Sequence, residues 1–219
     1  RKHPMFDAKK LKLYYDHALN TIKDEGEDTV IQEVTGQVVD SFIVPLKLKK
    51  TAKILDIGSG VGYFSDHMKD LGYTDITSTT WTEGDAAALE KKGHKYIRTD
   101  INFIKEPDSS YDFIFCRHSL EHSPFPYFAL LEYNRLLKKG GKMYVEMPDP
   151  KGPRGVETWP QHYTVLGEVA LQSLIARAGF KIEWYRNAQI GVTNNETNKV
   201  GQETYNCILA NKIGNIEVK

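Results

Sequence analysis

The sequence predicts an α/β protein built on a doubly wound, parallel sheet, and three observations carry that prediction. Residues 53–62 read Lys-Ile-Leu-Asp-Ile-Gly-Ser-Gly-Val-Gly, a short apolar strand that runs into three glycines within five residues. After it, strand-like and helix-like patterns alternate to residue 186, the signature of strand–helix–strand crossovers. Residues 111–116, Tyr-Asp-Phe-Ile-Phe-Cys, form a nearly continuous apolar run. A central parallel strand, covered on both faces, is expected to look like that.

The elements follow in order. Residues 6–23 place Leu11, Tyr14, Tyr15, Ala18, Leu19 and Ile22 at helical spacing, and a second helix is expected over 29–44. These two helices name no chemistry and read as a lid or a packing layer. The first strand is 53–57, with a helix over 63–71. A second strand lies within 75–81, and its helix starts at Thr82, with Thr82 and Asp85 spaced as a capping box. The third strand is 95–98 and the fourth 111–116. A helix over 127–138 is expected to stop at Gly140-Gly141, ahead of a fifth strand at 142–147. The last helix, 167–178, ends at Gly179. Strands at 180–186 and 204–210, separated by a polar, turn-rich stretch at 191–202, form a hairpin.

Composition sets bounds. The 219 residues suffice for one domain with a full core, and formal net charge is zero. No global field therefore recruits nucleic acid or an anionic surface. No apolar stretch approaches the roughly 18 residues of a membrane span. Cys116 and Cys207 sit in apolar strand-like runs and read as reduced, buried thiols, which suits a cytoplasmic protein.

Parallel doubly wound sheets bind ligands beyond the strand carboxyl ends, beside the point where strand order reverses. The loops to inspect are then 58–62, 80–85, 99–102, 117–127 and 147–163. The glycine loop has the spacing G-x-G-x-G, where a nicotinamide-dinucleotide fingerprint would read G-x-G-x-x-G and place a glycine where Tyr63 stands. A glycine-rich turn brings backbone N–H groups and a helix N-terminus to one point, although on its own it could be only a tight loop.

The segments I-L-D-I-G-S-G-V-G-Y-F (54–64), Y-D-F-I-F-C-R-H-S-L-E-H (111–122), R-L-L-K-K-G-G (135–141) and A-G-F (178–180) occur together. In that order and spacing the chain resembles the class I S-adenosylmethionine-dependent methyltransferases of the small-molecule type, over about residues 51–213. The resemblance implies a Rossmann-like sheet of seven strands, mostly parallel with an antiparallel last strand. It implies one methyltransferase domain over 1–219, with 1–50 as a helical cap on the core. It also implies S-adenosylmethionine as cofactor and S-adenosylhomocysteine as product. Asp56, Gly58, Ser59, Gly60 and Gly62 match the loop that holds the amino-acid half and sugar of that cofactor. Asp100 matches the acceptor for the adenine amino group, with Ile101 alongside the ring. His118 matches the loop beneath the methionine arm, and Glu121-His122 an acidic–histidine pair near the methyl exit.

One position departs from the family. Where the second strand ends, a carboxylate usually grips the ribose hydroxyls; here the residues are Thr80 and Trp81. Thr80 could serve with one hydroxyl, or Glu83 or Asp85 could reach back from the helix.

Methyl transfer needs alignment and exclusion of water, and a base only where the acceptor must lose a proton. His122 and His162, the latter in Trp-Pro-Gln-His-Tyr (159–163), are the candidates for that role; each could instead simply bond backbone or pack. Lys151 and Arg154, in the loop 148–155, could recognise an anionic group or be solvated charges. No tetrapeptide of the nucleic-acid amino-methylating type follows the fourth strand, and no Cys/His spacing announces a metal. The expectation is a small-molecule substrate, no nucleic acid, no membrane and no metal, with the oligomeric state open. A cofactor-binding domain without catalysis and a nicotinamide-dependent oxidoreductase are the rivals.

Overall fold

The computed structural model describes residues 7–153, 155–193 and 200–216. Arg154, one of the two cations singled out above, lies outside them. Seven strands form one sheet: β1 (Ile54–Ile57), β2 (Ile76–Thr80), β3 (Tyr96–Arg98), β4 (Tyr111–Arg117), β5 (Leu137–Pro148), β6 (Phe180–Thr193) and β7 (Val200–Lys212). Their order is β3-β2-β1-β4-β5-β7-β6. The pairings among β1 to β5 are parallel, whereas β7 runs antiparallel to both β5 and β6. Strand order reverses between β1 and β4, so the crevice expected of such sheets opens there.

Helices α1 (Ala8–Leu19), α2 (Thr29–Val38), α3 (Tyr63–Asp70), α4 (Glu83–Lys91), α5 (Pro126–Leu136) and α6 (Glu168–Arg177) accompany the sheet. Side chains of β4 alternate between two cores. Ile114 and Cys116 pack with Leu130, Tyr133 and Ile175 on one face, while Phe113 and Phe115 join Val38, Phe64 and Met68 on the other. Phe64 and Phe115 stack at 3.9 Å between ring centres. Burial on both faces explains why β4 is nearly continuously apolar. Cys116 and Cys207 are both free and buried.

The structure corrects four sequence expectations. The first helix is shorter than 6–23, because residues beyond Leu19 leave it to enter the cavity described below. The second ends at Val38 and continues as a π-helical turn over Val39–Ile43 and a 3₁₀ turn over Val44–Leu46. α5 stops at Leu136, not at Gly140-Gly141: fully buried Leu137 pairs with Tyr111 and starts β5, and the positive φ of Gly140 lies inside that strand. The closing hairpin is longer than its apolar pattern, its β6–β7 ladder reaching Thr193 opposite Val200. β5 covers β7 only from Tyr205 to Asn211, so the rest is a two-stranded ribbon that needs no apolar face.

Among the described residues, no helix is long and apolar enough to cross a membrane.

Candidate active site

A cavity of about 480 Å³ lies at the carboxyl ends of β1, β2 and β4, beneath the segment that follows α1. Asp56, Gly58, Ser59, Gly60, Thr80, Trp81, Asp100, Ile101, His118, His122 and His162 all line it. Gly62 does not: it starts α3 with φ near 90°, and a Cβ there would meet Leu89 and His94 behind the loop.

The glycine loop is held by β2. The Gly58 N–H donates to the Thr79 hydroxyl (3.1 Å) and the Ser59 N–H to the Thr79 carbonyl (2.8 Å). Gly60 has a φ of 50°, a conformation that side chains disfavour. A Cβ built on it would fall 1.4 Å from a carboxylate oxygen of Glu25, in the cavity itself. The absence of a side chain at Gly60 thus lets another group, here the Glu25 carboxylate, lie directly against the main chain.

Asp56 is 2% exposed, and the only hydrogen bond to its carboxylate among the described residues is a long one from the Ser65 hydroxyl (3.3 Å). Burial raises its pKa to about 8; the Ser65 bond opposes the rise and the charge of Glu25 adds to it. Glu25, reaching into the same space, is also pushed up, first by desolvation and then by Asp85. A cationic group entering here would relieve both carboxylates.

At the adenine position implied by the resemblance, Asp100 accepts from the Asn102 main-chain N–H (2.9 Å), the Asn102 amide (3.0 Å) and the Tyr15 hydroxyl. Tyr15 belongs to α1, and its ring lies against Phe125 and edge-on to Phe103. Along β2, Thr80 is 4% exposed at the strand end. Both carboxylates on α4 already have partners, although Asp85 also lines the cavity. Glu83 pairs with Arg98 on the surface (3.0 Å), and Asp85 accepts from the Thr82 hydroxyl (2.8 Å) and the Glu25 N–H (3.1 Å). The capping box predicted for α4 is therefore not formed. Asp24 caps that helix instead, accepting from the N–H groups of Gly84 (2.9 Å) and Asp85 (3.2 Å).

The far end is built from the β4 loop and the 156–164 segment. Arg117 donates to Glu146 (2.7 Å), and His118 sits 3.1 Å from the same carboxylate and 3.4 Å from Glu121. Burial lifts a carboxylate, but Arg117 and His118 outweigh it and pull Glu146 down to about 2. Burial and Arg117 disfavour charge on His118, yet Glu121 and Glu146 prevail and raise its pKa. A 3₁₀ turn over Leu120–His122 follows, and its Glu121 carbonyl accepts from the N–H groups of Tyr163 (2.9 Å) and Thr164 (3.0 Å). That junction brings His162 against His122, ring centres 4.9 Å apart. The Nδ1 atoms of both are held by carbonyl oxygens, Gln161 for His122 (2.9 Å) and Val156 for His162 (2.7 Å). A carbonyl only accepts, so each Nδ1 carries the proton and, in the neutral ring, Nε2 is bare. Desolvation lowers the pKa of His162 despite nearby Glu121.

Residues 33–185 match the family model described as a methyltransferase domain. The chain belongs to that family. The chain is similar to 27-O-demethylrifamycin SV methyltransferase of Amycolatopsis mediterranei (strain S699), 23% identical over 58% of this chain and 52% of the relative. (S)-coclaurine N-methyltransferase of Papaver somniferum is 23% identical over 65% of this chain and 44% of the relative. The chain thus spans about half the length of these relatives. Its fold resembles that of the Burkholderia thailandensis 1,6-didemethyltoxoflavin-N1-methyltransferase, a structure with bound 1,6-didemethyltoxoflavin and S-adenosylhomocysteine. The TM-score is 0.67 at 16% identity, covering 98% of this chain and 94% of that one.

The methyltransferase's cofactor is S-adenosylmethionine, and the cavity fits it. Side-chain-free main chain at Gly60, an Asp56 carboxylate with no cationic partner among the described residues, and an acceptor carboxylate at Asp100 are compatible with such a molecule. Sequence reasoning missed Tyr15, Asp24 and Glu25, which reach the site from the N-terminal segment. For Asp24 and Glu25 the acidic stretch at 24–28 was the only hint.

Proposed function

We propose that this chain transfers a methyl group from S-adenosylmethionine to an oxygen or nitrogen of a small molecule, as one domain over residues 1–219. The observation that carries the reading is a single cavity with the glycine loop at one end and, at the other, buried Glu121 with half-buried His122 and His162. When bound, the cofactor supplies a methyl group carried on a sulfonium. Asp56 takes the cationic end of its amino-acid half, with Gly58, Ser59 and Gly60 presenting main chain alongside. Thr80 and Trp81 stand at the sugar, and Asp100 and Ile101 at the adenine. His118, fixed between Glu121 and Glu146, closes the floor. His122 and His162 receive the acceptor, and their bare Nε2 atoms are oriented to accept its proton. The segment carrying Asp24 and Glu25 roofs the cavity and keeps water out, which strengthens electrostatics inside. The names of the curated relatives, one acting on oxygen and one on nitrogen, support the acceptor class.

The test is calorimetry with S-adenosylhomocysteine, followed by methyl transfer from labelled S-adenosylmethionine into fractionated metabolite pools. Binding together with label in a small-molecule product is the expected result. Gly60→Ala should fold at a cost of about 1–2 kcal/mol, the usual penalty for a side chain at positive φ, and lose the binding. Tight binding without transfer to any pool would leave a cofactor-binding domain.

A further inference from the structure

The Glu–His–His group at the acceptor end holds an arrangement that proton transfer does not require. Glu121 is 1% exposed, and neither of its carboxylate oxygens has a hydrogen-bond partner among the described residues. Leaving such a group unsatisfied costs more than a typical hydrogen bond returns. His118 balances its charge from 3.4 Å without a hydrogen bond, and His118 is itself engaged by Glu146. One ligand atom each from Glu121, His122 and His162 falls within a span of 4.8 Å. The outward nitrogen of both histidines is spent on a main-chain carbonyl. That is the support by which metal-binding imidazoles are held in orientation and tautomer.

We propose that Glu121, His122 and His162 form a binding site for one divalent metal ion of the borderline class, zinc or cobalt. Two imidazole nitrogens and one carboxylate suit such ions and disfavour magnesium or calcium, which take all-oxygen sets. Bonds of about 2.0–2.2 Å place donor atoms roughly 3.3–3.5 Å apart around a tetrahedral ion. Side-chain rotation of about an ångström closes the present spacing to that. Three protein ligands leave coordination positions open, as in catalytic rather than structural sites. The open positions face the cavity that holds the proposed acceptor.

Resting on the methyltransferase reading, this deepens it. A cation here lowers the pKa of a hydroxyl it binds, so the acceptor is an oxygen nucleophile, a phenol, enol or alcohol. The histidines then act as ligands, and the acceptor's proton leaves to solvent.

The experiment strips the full chain with EDTA, then titrates Zn²⁺ by calorimetry and Co²⁺ by its visible absorption. One equivalent per chain with micromolar or tighter affinity is expected. Glu121→Gln, His122→Ala and His162→Ala should each weaken it at least 100-fold. Acetohydroxamate, a bidentate oxygen probe, should shift the cobalt bands. No uptake by the wild-type chain at 100 μM metal, or uptake that survives all three substitutions, overturns the site and leaves Glu121 as a counter-ion to His118. Unshifted cobalt bands overturn the oxygen-acceptor assignment. S-adenosylhomocysteine binding, measured in parallel on each protein, reports separately on folding and on the methyltransferase reading.

Discussion

The Tyr15 hydroxyl donates to the carboxylate of Asp100, joining the first helix to the loop after β3 across 85 positions of sequence. The same hydroxyl accepts from the Asn102 amide at 2.7 Å. Burial, followed by the Asp100 bond and charge, raises the Tyr15 pKa, so the phenol stays protonated and donating throughout the physiological range. Tyr15 therefore fixes the orientation of the carboxylate on which the adenine amino group is proposed to dock.

Tyr15→Phe should weaken S-adenosylhomocysteine about 3- to 10-fold, the equivalent of one neutral hydrogen bond of ~0.5–1.5 kcal/mol. The ring contacts with Phe103 and Phe125 would persist, so thermal stability should fall little. Calorimetry on the two proteins checks this. Tighter binding by the variant would mean that the hydroxyl competes with the ligand for Asp100.

Asp56→Asn should separate stability from binding. Asp56 has a pKa of 3.8 unfolded and about 8 folded, so between those values the folded protein binds the extra proton. Its contribution to stability is greatest at low pH and is lost as pH rises towards 8. Asparagine mimics the neutral acid. The variant should melt at the wild-type temperature near pH 4 and at a higher temperature near pH 8, while losing affinity for S-adenosylhomocysteine at least tenfold. Melting curves across that range decide it; a variant less stable at pH 8 contradicts the assignment.

Much of the frame was legible because burial writes itself into sequence. β1 and β4 are apolar on both faces, and the glycine loop between β1 and α3 needs backbone that other residues resist. The site was legible only where neighbours in space are neighbours in sequence. Asp56 and Gly60 could be paired by eye, and so could Glu121 and His122. His162 reaches them only because two main-chain N–H groups dock on the Glu121 carbonyl, an interaction no side-chain pattern records. The capping box failed for a related reason. Thr82 and Asp85 have the right spacing, but Asp24 arrives from another element and takes the N–H groups first. The outer part of the β6–β7 ladder pairs with no third strand, so its sequence is not held to the apolar pattern of a core strand and looks like a turn.

Glu146→Gln should destabilise the protein by about 3–5 kcal/mol, because Arg117, 10% exposed, would keep its charge without its partner. Glu146 titrates near 4.5 unfolded and about 2 folded. The stability it contributes is present above the first value and disappears as pH falls towards the second. Wild-type protein should accordingly lose stability between those pH values, and the variant should show a shallower loss over the same range. Denaturant unfolding at several acidic pH values measures both. Equal slopes would show that other carboxylates dominate acid unfolding.

Thr80 closes β2 where relatives are expected to carry a carboxylate, and the two carboxylates on α4 already have partners. Glu83 faces Arg98 outside the cavity, and Asp85 is committed to Thr82 and to the Glu25 N–H. Thr80→Asp would place two acceptor oxygens at a 4% exposed position where one hydroxyl now stands. Hydrogen bonds to a charged acceptor contribute ~1.5–3 kcal/mol, against ~0.5–1.5 for a neutral one. In the free protein the same charge is buried without a partner, so the variant should melt below wild type. With S-adenosylhomocysteine it should bind about tenfold more tightly, which corresponds to ~1.4 kcal/mol. Thr80→Ala should weaken binding by less than that. Asp85→Asn supplies the contrast: if it abolishes binding while Thr80→Asp leaves affinity unchanged, the ribose hydroxyls are held from α4 and Thr80 is only the end of a strand.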